Sequence, residues 1–231
     1  MKTVVIHQPD FLPHPGFFHR LLGAQLLILL DHVQFVTGGS RSWTNRDKIK
    51  SATGERWLTV GVKKSALSTP INEVLLADTN WREESLNLLR ENYRNTPHFS
   101  VLFPQIEALY ARSCERLVDF TVASIQMLLG WFAIDIPLAY SSRMNPVGRK
   151  NELLVDLLVK AQATDYLSGT GARNYLQPGT FADSGIAVHW QDFQPPIYPQ
   201  QFGDFIPGLS SIDLFFNCGV EQAQKILRAS K

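Results

Sequence analysis

Cysteine is nearly absent from this chain. Cys114 and Cys218 are the two present in 231 residues, and they lie far apart with no CxxC pairing. That argues against a disulfide scaffold and a structural zinc finger; free thiols in a reducing compartment fit better. A surplus of charge is lacking too. The formal net charge is +1, which speaks against nucleic acid as a main partner, because neutralising phosphates takes a basic excess. No apolar run is long enough to span a bilayer, the longest being of the LLGAQLLILL kind. The N-terminus enters a strand-like run within three residues, which leaves no room for a secretory signal. The expectation is a soluble, cytoplasmic protein with no membrane span. Walker A, HExxH, GxSxG and GxGxxG sequences are all missing, which disfavours P-loop phosphoryl transfer, zincin proteolysis and α/β-hydrolase chemistry.

What is present begins at the N-terminus. Thr3 to Ile6 read as a strand that ends in His7 and Gln8; a proline-punctuated loop, Gly16, a helix-like stretch and a second apolar run ending in Asp31 follow. This is strand, polar loop, helix, strand, acid: one βαβ unit. Residues 36–54 are polar and read as a loop or irregular hairpin, and WLTVGV (57–62) and INEVLL (71–76) read as strands. WREESLNLLRENYRN predicts a helix whose first turn carries Glu83 and Glu84. A second helical stretch runs from Pro97 through Leu109, and an apolar helix over 114–130 ends at Gly130. IDIPLAYSS (134–142), DYLSG and GIAVHW (185–190) are strand-like, and 149–163 is the clearest amphipathic helix. The alternation favours one α/β domain over 1–231, with a Rossmann-like sheet core and a helical elaboration around 80–130.

In open α/β sheets, ligands bind beyond the carboxyl ends of the strands. Candidate chemistry gathers at those positions. HQPDFLPHPGFFH places three histidines in one stretch, and His7, just past a strand end, suits acid–base work near neutral pH. The competing reading is a rigid proline turn with its histidines bonded to backbone. Asp31 follows LLILL at a second strand end, with Gln34 as an accompanying amide; the alternative is an aspartate capping a turn. In SRSWTNRDKIK, Arg41, Arg46, Lys48 and Lys50 make a cationic run. Asn45 and Arg46 are the candidates for binding carboxylate or phosphate, whereas Lys48 and Lys50 read as a solvated face. In YLSGTGARNYL, Ser168, Gly169, Gly171 and Arg173 form a small-residue loop suited to an anion. The proline- and aromatic-rich 195–219 segment reads as a pocket wall or as packing over the core. Ser210, Ser211 and Asp213 there suit a helix cap, and Asp213 could equally be buried and paired.

Taken together, HQPDFLPHPGFF, LDHVQF, NRDKIK, WLTVGV, YLSGTGARNYL and LSSIDLFFNCG resemble the WbqC-like family of bacterial proteins, over residues 3 to about 219. The resemblance implies a role in surface-polysaccharide assembly, with an acyl or aminoacyl group added to an amino sugar. An apolar or aromatic residue is expected where His14 stands, which favours His7 as the working histidine. A fainter likeness is to HIGH-type nucleotidylyltransferases and pantothenate synthetases. There PHPGFFH is similar to the first phosphate loop, with Phe17 in place of its second histidine, and SGTGARNYL is similar to the late one. That likeness implies ATP with Mg²⁺ and an adenylylated carboxylate attacked by an amine.

The reading that follows is a transferase or amide-forming ligase acting on a small molecule or sugar nucleotide. His7 and Asp31 are the catalytic candidates. Gln8, Gln34, Asn45, Arg46, Ser168, Gly169, Gly171 and Arg173 are the substrate-binding ones, and no residue is assigned to a metal. A non-catalytic nucleotide-sugar module and a metal-dependent hydrolase built from His7, His14 or His19 with Asp31 are the alternatives.

Overall fold

TVVIH and LLIL carry almost no polar side chain, as parallel strands covered on both faces require. The computed structural model describes residues 1–36 and 42–230. Its strands, in chain order, are β1 (Thr3–His7), β2 (Leu26–Leu29), β3 (Arg46–Ser51), β4 (Gly54–Thr59), β5 (Leu138–Tyr140), β6 (Asp165–Ser168) and β7 (Ala187–Trp190). Five of them form a parallel sheet in the order β5-β2-β1-β6-β7, and β3 and β4 form a separate antiparallel hairpin. This is an α/β fold with a Rossmann-like core.

Strand alternation sorts the core residues by face. Val5, Leu27 and Leu29 enter one apolar cluster, while Val4, Ile6 and Ile28 enter another. The first cluster holds residues of α1 (Pro15–Leu21), α2 (Trp81–Tyr93), α3 (Phe99–Tyr110), α4 (Leu117–Phe132) and α7 (Ser211–Ala229). The second is closed by α5 (Asn151–Lys160) and α6 (Pro178–Ala182). No helix among the described residues is long and apolar enough to cross a membrane.

The order of the sheet locates the site. The chain lays down β1, then β2 and β5 outward on one side, and then crosses back to place β6 and β7 on the other. The reversal falls between β1 and β6. At such a switch point the connections leave in opposite directions, and a crevice opens at the strands' carboxyl ends.

Several local expectations need correction. INEVLL is no strand: Ile71–Glu73 form a 3₁₀ turn, and Leu75 and Leu76 make only isolated bridges. The charged RDKIKS stretch, by contrast, is a regular strand, because its partner strand offers Glu55 to Lys48 and leaves Ile49 facing the core. The paired part of WLTVGV ends at Thr59 and begins three residues earlier, at Gly54. Gly130 lies inside α4, which runs on to Phe132, and Ala133 takes the left-handed cap at φ 51°. Arg41 lies outside the described residues. Lys50, expected on a solvated face, is 1 % exposed. Its ammonium donates to Gln200 Oε1 and to the carbonyls of Gly203 and Asp204.

That lysine belongs to a buried polar tie. Ser210 caps α7, and Asp213 in its first turn accepts from the Tyr93 hydroxyl at 2.8 Å and the Tyr198 hydroxyl at 2.9 Å. Tyr93 Oη in turn accepts from the Lys50 backbone N–H. The hairpin, α2, α7 and the 198–204 loop therefore meet at one carboxyl. Asp213→Ala strands two buried phenols and is expected to cost roughly 3 kcal/mol in urea unfolding, while Tyr198→Phe costs about 1 kcal/mol. Equal losses for the two would show that the carboxyl does not join them.

Candidate functional site

The site grows from the end of β1. After His7, Asp10 N–H turns back to the Gln8 carbonyl at 2.9 Å. His14 then caps α1, its Nδ1 accepting from Gly16 N–H at 3.1 Å, and Pro15 supplies the preset φ of a first helical residue. Gly16 is there for space: a Cβ would sit 2.7 Å from the His14 ring and 2.8 Å from Phe193. One turn on, Arg20 lies on the same helix face as Gly16 and Phe17, and this face is buried. From the far side of the switch point, β6 ends in Ser168, and a 3₁₀ turn over Thr170–Ala172 follows. Gln191, just past β7, ties in by donating to the Gly16 carbonyl at 2.8 Å.

These segments enclose a cavity of about 310 Å³. His7, His14 and Arg20 line it from the β1 side, and Ser168, Gly169 and Gly171 from the β6 side, with Tyr166, Tyr175, Gln191 and Phe193 around them. Arg20 is 7 % exposed. Its Nε is buried with no hydrogen-bond partner among the described residues, and no carboxylate among them pairs with it; its guanidinium lies 5.9 Å from the Phe17 ring centre. Gly169 makes room for it, since a Cβ there would stand 3.1 Å from Arg20 Nη1.

Burial and the nearby Arg20 together set the protonation of the neighbouring groups. Burial first, and then Arg20, push His7 down to about 3 and His14 down to about 4, so both are neutral at physiological pH. Burial pushes Asp10 up to about 7, with Arg20 pulling the other way. The cavity thus offers one fixed positive charge, two neutral imidazoles and small-residue backbone.

Of the residues singled out from sequence, His7, Ser168, Gly169 and Gly171 come together at this cavity. Arg173 ends the 3₁₀ turn, is exposed, and stacks 5.5 Å from the Trp190 ring centre. Gln8 turns aside and accepts from Thr44 Oγ1 at 3.4 Å. Asp31 is 3 % exposed and its oxygens are occupied elsewhere: Oδ1 accepts from Ser141 Oγ at 2.9 Å and Ser142 N–H at 2.8 Å, and Oδ2 from Ser142 Oγ at 2.6 Å. It ties the end of β2 to the end of β5. Gln34 donates to the Leu67 carbonyl. Asn45 donates to the Val60 carbonyl and accepts from Ser42 Oγ, and Arg46 donates to the Ser42 carbonyl while stacking 4.1 Å from the Trp57 ring centre.

Sequence reasoning passed over Arg20 and Asp10. The signal for Arg20 was a cation falling i+3 and i+4 from Phe17 and Gly16, hence on the apolar stripe of α1. As to metals, the described residues contain no cluster of three His, Cys, Asp or Glu side chains. The set proposed for a hydrolase is not assembled: His19 Nε2 faces the Ser230 carbonyl, and Asp31 is held by serines. The phosphates of ATP fit Arg20. Mg²⁺ is less well served, since it favours carboxylates and none lines the cavity.

The model of the WbqC-like protein family matches residues 8–225. The chain is similar to "Uncharacterized protein Rv1507c" of Mycobacterium tuberculosis (strain ATCC 25618 / H37Rv), at 31 % identity over 226 residues and 96 % of each chain. No solved structure gives a significant match. With a family match over nearly its whole length and a full-length relative, the chain belongs to the WbqC-like protein family.

Proposed function

We propose that this protein is a transferase or amide-forming ligase that adds an acyl or aminoacyl group to an amino sugar, carried as a sugar nucleotide, in surface-polysaccharide assembly. The observation that carries the reading is Arg20: a guanidinium lining a switch-point cavity, with its Nε unpartnered among the described residues. Burying a cation without a partner is costly, and a diphosphate is the complementary load. A planar, forked donor suits phosphate oxygens better than an ammonium would. Ser168, Gly169 and Gly171 border the same anion, and Arg173 at the rim reaches an outer phosphate.

His7 supplies the proton chemistry. Its imidazole is neutral and borders the cavity, so it accepts a proton from the sugar amine as that nitrogen bonds to the acyl carbon and the leaving group departs. Asp31, Gln34, Asn45 and Arg46, bonded to neighbouring loops, hold the surrounding scaffold.

Two outcomes check this. Arg20→Met is expected to stabilise the ligand-free protein by about 1–3 kcal/mol, because it removes an unsatisfied buried donor. It should also abolish the melting-temperature rise that the wild type shows with pyrophosphate or a nucleotide sugar. A destabilised variant, or one that still responds to both ligands, would remove Arg20 from the site. The second check is His7→Gln, which should keep the ligand-induced rise yet lose product formation by about 100-fold or more, the scale of a general acid–base group. Binding without turnover in the wild type, weakened in His7→Gln, would instead mark a nucleotide-sugar binding module.

A further inference from the structure

His7 Nδ1 lies 3.0 Å from the Gln8 carbonyl oxygen and 3.4 Å from Asp10 Oδ2. The Gln8 carbonyl can only accept, so Nδ1 carries the ring proton and Nε2 keeps its lone pair, on a ring that borders the cavity. The ring is further held by an edge contact with Phe17, centroids 5.2 Å apart. The Asp10 side chain is 13 % exposed, and its own N–H is spent on the Gln8 carbonyl. One tight turn therefore fixes imidazole and carboxyl against each other.

We propose that Asp10 is the positioning residue for His7, and that the two form a proton-holding dyad at the wall of the switch-point cavity. This rests on the reading above that His7 moves a proton. When His7 Nε2 takes a proton from the attacking amine, positive charge appears on a ring whose Nδ1–H already faces Asp10. The carboxylate offsets that charge. The proton later leaves from Nε2 to the departing group or to water, and the dyad returns to its starting state.

The electrostatic surroundings place the exchange in a useful range. Asp10 is raised to about 7 by burial, against the pull of Arg20, and His7 is lowered by burial, Arg20 and His14. Asp47, buried in the neighbouring hairpin and itself raised by burial, interacts with Asp10. A proton is therefore released near neutral pH from a carboxyl held 3.4 Å from the His7 ring, and the ring senses that step. Arg20 lowers the proton affinity of both members. An anion seated on the guanidinium cancels that effect, so the step moves to higher pH when the cavity is filled.

The experiment is ¹⁵N NMR of the full chain labelled at histidine, followed through about pH 5 to 8, alongside the ¹³C carboxyl signal of labelled aspartate. The expected result is His7 protonated at Nδ1, with one inflection near pH 7 shared by the His7 ring and the Asp10 carboxyl. Asp10→Asn removes this inflection, and sulfate, a dianion throughout the range, moves it upward in the wild type. Protonation at Nε2 in the free protein, separate inflections in the wild type, or the same inflection in Asp10→Asn would each overturn the dyad. A step that sulfate leaves in place would cut its link to Arg20. The shared inflection is read in the wild type, so it holds even if the variant misfolds. Pyrophosphate binding is measured separately: its absence would sink the anion reading and leave the titration as found, and a missing inflection would sink the dyad with binding intact.

Discussion

A buried guanidinium that no carboxylate among the described residues meets in an ion pair constrains what surrounds it. Arg20 sits on the apolar face of α1, and each neighbour is consistent with its charge. Two histidines beside it are neutral, and Gly169 withholds the Cβ that would crowd Nη1. No aspartate or glutamate lines the cavity to pair with it. A carboxylate there would remove the energetic cost and, with it, the affinity for an incoming anion. The site keeps a local instability that the rest of the fold must carry, which is where strained or unsatisfied groups are expected to be functional.

Polar ties elsewhere hold the frame together. Asp31 fastens the ends of β2 and β5 through Ser141 and Ser142. Asp213 fastens α7 to α2 and to the 198–204 loop through two phenols. The hydroxyls of Ser210 and Ser211 hold α7 to the proline loop by donating to the carbonyls of Leu12 and Pro13. The loop carrying His7, Asp10 and His14 is thus clamped from the far end of the chain. Loops positioned by a rigid frame are where chemistry tends to sit.

Much of this was legible in the sequence, and the failures have physical causes. β1 and β2 were readable because strands covered on both faces are short and apolar, and β6 and β7 because strand-like runs there are bounded by turn residues. The helical block between Trp81 and Phe132 was readable from its 3.6-residue period. INEVLL misled because β-branched content alone does not make a strand without a partner edge. RDKIKS misled in the opposite sense, since its charges are answered across the hairpin or, for Lys50, by carbonyls distant in sequence. At the site, strand-end logic found His7 and the Ser168–Gly171 turn, which belong to the two strands flanking the switch point. It also gathered Asp31, whose carboxyl is taken up by Ser141 and Ser142, and nearness in chain order gathered Asn45, which bonds Ser42 and the Val60 carbonyl. Which strand ends adjoin the switch point depends on sheet order, and order is long-range information that no local pattern carries. Arg20 was missed for a related reason: its interest lies in an Nε with no hydrogen-bond partner among the described residues, and that is visible only once the neighbours are placed.

The charge pattern also implies an order of events. Burial is the larger cause at both members of the His7–Asp10 pair, lowering His7 and raising Asp10, and Arg20 pulls the proton affinity of each downward. The imidazole is then a poor base, and a stray amine meets little help. On the function proposed above, a diphosphate on the guanidinium offsets Arg20's share of the lowering at His7, while the share due to burial stays. Binding energy from a part of the ligand that does not react is thereby used to prepare the group that does. An apolar residue in place of Arg20 would give a more stable protein and a permanently stronger base, with no means of sensing the ligand. On that proposed reading, the buried cation makes proton transfer depend on the anion.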